Sequence, residues 1–184
     1  FVYLISSFTL SRSYKLLLSI ALFSILISLS LFSLDFYITK VEPEKLLIKN
    51  VTFASSKITK PIKVVHFSDV QSARIGVYEK RIFKTIQNID ADLILYTGDF
   101  LQLPKELKFK DQWKQMHRLF SSLSPRLGIY AVYGDTELAL YSVPKDEILP
   151  IQILSSKAES FTFEGGKISI YGLSLYNSKN PLWA

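Results

Sequence analysis

Cysteine is missing from this sequence altogether, and histidine stands only at His66 and His117. Without thiols the chain holds no thiolate metal site and no thiol nucleophile, a usage that fits an oxidising compartment. Glycine is sparse too, at 7 residues. No Gly-x-Ser-x-Gly elbow and no His-Glu-x-x-His motif occurs. The GGK at 165–167 lacks the longer framework of a phosphate loop and reads as a hairpin turn instead. Internal repeats of domain-building period are absent. So is any basic run interleaved with aromatics, which a nucleic-acid strand would need, and no nucleic-acid partner is expected.

One long stretch lacks charge, proline and glycine: Leu16–Leu34, LLLSIALFSILISLSLFSL. As a helix it would cover roughly 28 Å, enough for a bilayer core. Its length and the Asp35-Phe36-Tyr37 directly after it favour an anchor over a cleaved signal peptide. Its serines are tolerated because a helical serine bonds its own backbone carbonyls. Residues 1–15 read as the end of an earlier membrane helix, FVYLISSFTL, and a short loop carrying Arg12 and Lys15. The positive-inside rule places that loop in the cytoplasm and the residues after the helix outside, so the expected location is the membrane with an extracytoplasmic domain. The net charge of +6 is spread over Lys40–Lys63 and Lys105–Arg118, as suits a surface facing anionic membrane lipid. Beginning at Phe1 and stopping at NPLWA, the sequence reads as a piece of a longer chain.

Residues 35–60 form a juxtamembrane segment with at most one edge strand, around Leu46–Phe53, and the regular domain is expected over 61–184. Within it an apolar run ending in an acid recurs: IKVVHFSD to Asp69, LILYTGD to Asp99, IYAVYGD to Asp135. Runs of this kind suit strands buried on both faces. Ile82, Phe83, Ile86 and Ile89 lie on one helical stripe between the first two, within 77–89. Trp113, Met116, Phe120 and Leu123 lie on another between the second and third, within 110–123. The order βαβαβ implies an α/β fold with a largely parallel sheet, whose ligand edge is where the strands end. Shorter strands come next, IQIL and SFTFEGGKISIYGL, the latter with its turn at Gly165-Gly166.

Strands lie about 4.8 Å apart, so carboxylates just past neighbouring strand ends converge. Converging anions repel, and a divalent cation is the simplest counterweight, with oxygen donors suiting Mg, Mn or Fe. Gly98 and Gly134 would let the backbone approach closely at that edge. Of the histidines, His66 is expected to be a packed or hydrogen-bonded core residue, and His117 a surface residue of the second helix.

SDVQ, then TGDF, then GIYAVYGDTE together resemble the calcineurin-like metallophosphoesterase family, whose pattern is Asp-x-His, Gly-Asp, and Gly-Asn-His followed by Asp or Glu. The likeness covers roughly Pro61–Leu175, and the EPEKL between helix and domain is similar to membrane-anchored members. It implies a β-sandwich flanked by helices, two divalent metals (Mn, Fe, Mg or Zn), and phosphoester hydrolysis by a metal-activated water; the anchor and basic surface point to a lipid or envelope phosphoester as the expected substrate. Asp69 would bind the first metal, Asp99 would bridge both, and Asp135 takes the place of the Asn on the second. Gln71 stands at a histidine ligand's position and could still donate an amide oxygen. Thr136 and Glu137 occupy the positions of the family's catalytic histidine and its supporting acid, and Thr136 is no acid near neutral pH. The family's remaining histidine ligands would come later in a chain, and none occurs before Ala184, so this stretch by itself is expected to bind metal poorly. Two readings result: a membrane-anchored metallophosphoesterase with an altered site, or a non-catalytic tethered binding protein that keeps the fold.

Overall fold

The computed structural model describes residues 12–102, 108–136 and 149–178, in two compact units, Phe1–Lys49 and Asn50–Ala184. Among the described residues the first unit holds one helix, α1 (Arg12–Phe36), which takes in Arg12 and Lys15 of the expected loop and runs on through a wider π-helical turn at Tyr37–Val41, the expected earlier helix lying outside the described residues. The Ser19, Ser28 and Ser33 hydroxyls donate to the carbonyls of Lys15, Ser24 and Leu29 at 3.0, 2.9 and 2.8 Å, so the serines are satisfied within the helix. The helix buries no side chain. Over Arg12–Val41 it is long and apolar enough to cross a membrane, with a mean hydropathy of 2.4 in its most apolar window. Length and composition of this kind are shared by membrane anchors and signal sequences.

The expected edge strand is not there: Leu46–Phe53 carries no strand pairing, and its side chains are exposed. A lone extended segment gains no ladder without a neighbour to bond. The first long-range backbone bond of this region is that of Thr59, whose N–H donates to the Gly165 carbonyl at 2.8 Å.

The second unit holds a parallel sheet of β1 (Val64–Phe67), β2 (Leu93–Tyr96), β3 (Ile129–Ala131) and β4 (Gln152–Ile153), side by side in chain order. Helix α2 (Val77–Ile89) connects β1 to β2, and α3 (Phe109–Ser121) connects β2 to β3. The strand period of two sorts the core. Val65, Phe67, Ile94, Tyr96, Ile129 and Ala131 join the cluster that contains Phe83, Trp113, Met116 and Phe120 of the helices. Leu93, Leu95 and Tyr130 point the other way, onto Phe161, Ile168 and Ile170 of a hairpin formed by β5 (Lys157–Phe163) and β6 (Gly166–Gly172). The result is helices, sheet and hairpin in three layers, with a short helix, α4 (Leu175–Ser178), after them. Among the described residues this two-stranded hairpin is the second sheet. Its turn is Glu164-Gly165, with Phe163 and Gly166 as the closing pair, one residue earlier than Gly165-Gly166.

Strands β2 and β3 are buried on both faces, as their apolar runs require. β1 is not, because it stands at the sheet's edge beyond the hairpin's cover and leaves Val64 and His66 exposed. His66 is therefore no core residue; its Nε2 lies 3.0 Å from the Thr97 hydroxyl. His117 is half-buried on α3, with Nδ1 3.3 Å from the Ser121 hydroxyl.

At the opposite, amino edge of the sheet, Asp92 fastens three strand entries. Its carboxylate accepts from the Lys63 N–H at 2.8 Å and from Arg126 Nε at 2.6 Å. Its own N–H donates to the Lys63 carbonyl, and its carbonyl accepts from Leu127, each at 2.8 Å. The Arg126 and Lys63 bonds outweigh the cost of burial and hold this carboxyl below its ordinary range. A depressed folded-state pKa contributes stability that is present above the unfolded value near 3.9 and is lost as pH falls through the folded value. Asp92→Asn should therefore cost about 1–2 kcal/mol at pH 7 and less at an acid pH where the folded carboxyl is protonated, as read by denaturant unfolding at the two pH values. An equal cost at both would show that the charge contributes nothing.

Candidate functional site

The strand ends leave the sheet through left-handed backbone. Asp69 and Gln71 after β1 have φ of 55° and 36°, and Gly98 and Asp99 after β2 have φ of 92° and 62°. Such conformations are rare outside glycine and concentrate where a site over-determines the backbone. The two turns are bonded to each other: Asp69 N–H donates to the Gly98 carbonyl at 3.1 Å and Gln71 N–H to the Asp99 carbonyl at 2.9 Å. Beyond them Ser72 and Leu101 form an isolated parallel bridge, and Gln102 N–H donates to the Ser72 carbonyl at 3.3 Å.

A third turn arrives from β3. A Cβ on Gly98 would stand 2.3 Å from the Gly134 nitrogen, and one on Gly134 would stand 2.3 Å from Asp99 Oδ1. The two glycines thus let the β2 and β3 turns touch and seat the Asp99 carboxylate against Gly134. Thr136 then caps it, donating to Oδ1 from its N–H at 3.2 Å and from its hydroxyl at 3.0 Å. Burial pushes the Asp99 carboxyl up, but bonds from Thr136 and from the Gln71 and Asp135 side chains together hold it below the ordinary carboxylate value. At neutral pH Asp99 is an anion.

Asp99, Gln71, Asp135 and Thr136 therefore meet at one point. Asp69 stands at the same edge through its backbone, with its side chain exposed. No group of three or more His, Cys, Asp or Glu side chains is placed to hold a metal among the described residues. The three acids share an edge without forming one cluster; two donors from Thr136 and the Gln71 side chain surround Asp99 instead. Glu137 lies outside the described residues.

As a donor set, the Asp99 and Asp135 carboxylates and the Gln71 amide oxygen fit a single hard divalent cation such as Mg or Mn, while the Thr136 hydroxyl is spent on Asp99. None of the four offers nitrogen, which Zn would favour. The second carboxylate at this edge, that of Asp135, adds to the negative charge that a cation would balance. Donors for a second metal are not supplied by these four residues.

Sequence reasoning missed the supports of the site. Glu79 in the first turn of α2 is buried and accepts from the Ser72 hydroxyl at 2.8 Å and the Gly76 N–H at 2.7 Å. Gln112 of α3 accepts from the Ile75 N–H at 2.8 Å. The Gly76-x-x-Glu79 spacing is a helix-start signal that would have found the first of these. Tyr96, fully buried below the turns, carries its hydroxyl up to them. Compared with known proteins, the chain matches no family model and no curated protein.

Proposed function

We propose that this chain is a membrane-anchored, metal-dependent phosphoester hydrolase of the calcineurin-like type. The observation that carries this reading is the meeting of Asp99, Asp135, Gln71 and Thr136 where parallel strands end, the edge at which open α/β sheets bind ligands. Asp99 and Asp135 would hold the cation, with Gln71 as a neutral oxygen donor, and Asp69 stands at the same edge in the β1 turn. A divalent ion held there supplies Lewis-acid polarisation of a phosphoester and acidifies a water. Asp99 contributes its fixed negative charge, and Thr136 fixes which way its carboxylate faces. Leaving-group protonation would not come from Thr136, whose hydroxyl is committed to Asp99. Helix α1 would anchor the domain at a bilayer, on its outer side by the charge of Arg12 and Lys15 in the helix's first turn, and this favours a lipid or envelope phosphoester as substrate.

The expected result for full-length protein in detergent is hydrolysis of bis(p-nitrophenyl) phosphate with Mn2+ or Mg2+, reduced to background by EDTA and restored by Mn2+ better than by Zn2+. Full activity in EDTA would sink the reading. One observation favours the second reading, a non-catalytic tethered binding protein: Thr136 already satisfies Asp99 Oδ1 twice. For that protein, phosphoester turnover is absent at every metal concentration while the fold is intact.

A further inference from the structure

We infer that Tyr96 is a positioning residue whose hydroxyl holds the turn carrying Asp69 and Gln71 against the turn carrying Asp99. Its ring sits in a cluster of phenylalanines, with centroids 4.7 Å from Phe67, 4.5 Å from Phe100 and 5.5 Å from Phe120. Phenylalanine would fill this place equally well, and a hydroxyl brought into it costs free energy unless it is bonded. Here it donates to the Asp99 carbonyl at 2.9 Å and accepts from the Val70 N–H at 3.3 Å.

The position of that second bond explains why a tyrosine is needed. In a regular parallel strand, alternate N–H groups face opposite neighbours. In the β1 turn, the positive φ of Asp69 and Gln71 brings three successive N–H groups toward the β2 turn instead. Asp69 finds the Gly98 carbonyl at 3.1 Å and Gln71 the Asp99 carbonyl at 2.9 Å. Val70, between them, finds the tyrosine oxygen. One hydroxyl thus completes the seam between two acid-bearing turns and fixes the Asp99 peptide from below. Through these two bonds Tyr96 acts on the backbone of its neighbours.

The consequence for metal binding rests on the proposed function, whereas the seam can be read on its own. The experiment compares full-length wild type, Tyr96→Phe and, as a control from the hairpin face of the sheet, Tyr130→Phe. Amide hydrogen exchange and Mn2+ affinity are measured on each. In Tyr96→Phe the Val70 and Gln71 amides should exchange at least about tenfold faster while Leu95 and Tyr130 amides keep their wild-type rates, and the Mn2+ Kd should rise about tenfold. Tyr130→Phe should change neither. Wild-type exchange at Val70 and Gln71 in Tyr96→Phe overturns the inference, as does acceleration spread evenly over the sheet. So does an unaltered Mn2+ Kd in Tyr96→Phe when wild type binds the ion. A wild type that binds no Mn2+ overturns the metal reading alone, and exchange then decides the role of Tyr96. Should Tyr96→Phe not fold, the wild-type hydroxyl proton decides: slow exchange with a through-space contact to the Val70 amide supports the role, and free exchange overturns it.

Discussion

Gly98→Ala should lower the melting temperature of the protein by on the order of 10–20 °C and abolish any metal binding at the strand ends. Two costs add. Gly98 has φ of +92°, a conformation that costs an L-residue about 1–3 kcal/mol. The new methyl would also meet backbone that cannot swing aside: Gly134 N at 2.3 Å, Gly134 Cα at 2.8 Å and the Tyr133 carbonyl carbon at 3.0 Å. Relief requires the β2 and β3 turns to part, which adds about 1–3 kcal/mol of overpacking strain. A total of about 2–6 kcal/mol is a large share of ordinary domain stability. Gly134→Ala separates the fold from the site. Its methyl strikes Asp99 Oδ1 at 2.3 Å and Cγ at 2.7 Å, so the carboxylate is displaced along with the Asp99 nitrogen at 2.9 Å. Smaller loss of stability with loss of metal binding is expected there. Gly76→Ala is the control, since its methyl would meet nothing closer than 3.4 Å. Thermal unfolding followed by circular dichroism ranks the three; a Gly98→Ala protein melting like wild type would show that the turns are not in contact.

Much of this architecture is written locally. The apolar runs before Thr97 and Val132 announce strands, and the stripe of Ile82, Phe83 and Ile86 announces α2, because each is a matter of period within a dozen residues. The acid-ending theme announces the edge where Asp69, Asp99 and Asp135 stand. What the sequence hides depends on partners far along the chain. VVHF looks as buried as LILY, yet β1 lies at the sheet's edge and exposes Val64 and His66, because only placement in the sheet decides cover. Leu46–Phe53 has strand-like composition and no strand beside it. Asp92 gives no signal of its own, since its partners Lys63 and Arg126 lie on either side of β2 in the chain and meet it only through strand pairing. Tyr96 does leave a mark, as the one hydroxyl in an otherwise aliphatic LILY, though its use depends on a turn some 26 residues earlier. No local signal announces that Thr136 spends both donors on Asp99, since the two lie 37 residues apart and meet only where the β2 and β3 turns touch.

Asp99→Asn should reduce phosphoester hydrolysis by at least about 100-fold while leaving the fold intact. The substitution keeps the shape, and the amide oxygen can accept from the Thr136 N–H and hydroxyl as the carboxylate does. What disappears is the negative charge, the property that would bind a cation together with Asp135. Asp99→Ala is harsher: it leaves the Thr136 N–H and hydroxyl without their acceptor, so it should cost about 1–3 kcal/mol of stability as well as activity. The pair separates chemistry from scaffold. If hydrolysis depends on charge, Asn and Ala are equally inactive although only Ala melts early. If Asp99 merely props the β3 turn, Asn retains whatever activity wild type has, and the metal reading fails. Thr136→Val sharpens the comparison from the other side. It removes the hydroxyl but keeps the N–H, freeing one lone pair of Asp99 Oδ1 for a cation. In an enzyme whose altered motif weakens its metal, that change should tighten Mn2+ binding rather than loosen it. Tighter binding would identify the threonine as a competitor for the carboxylate that the cation needs.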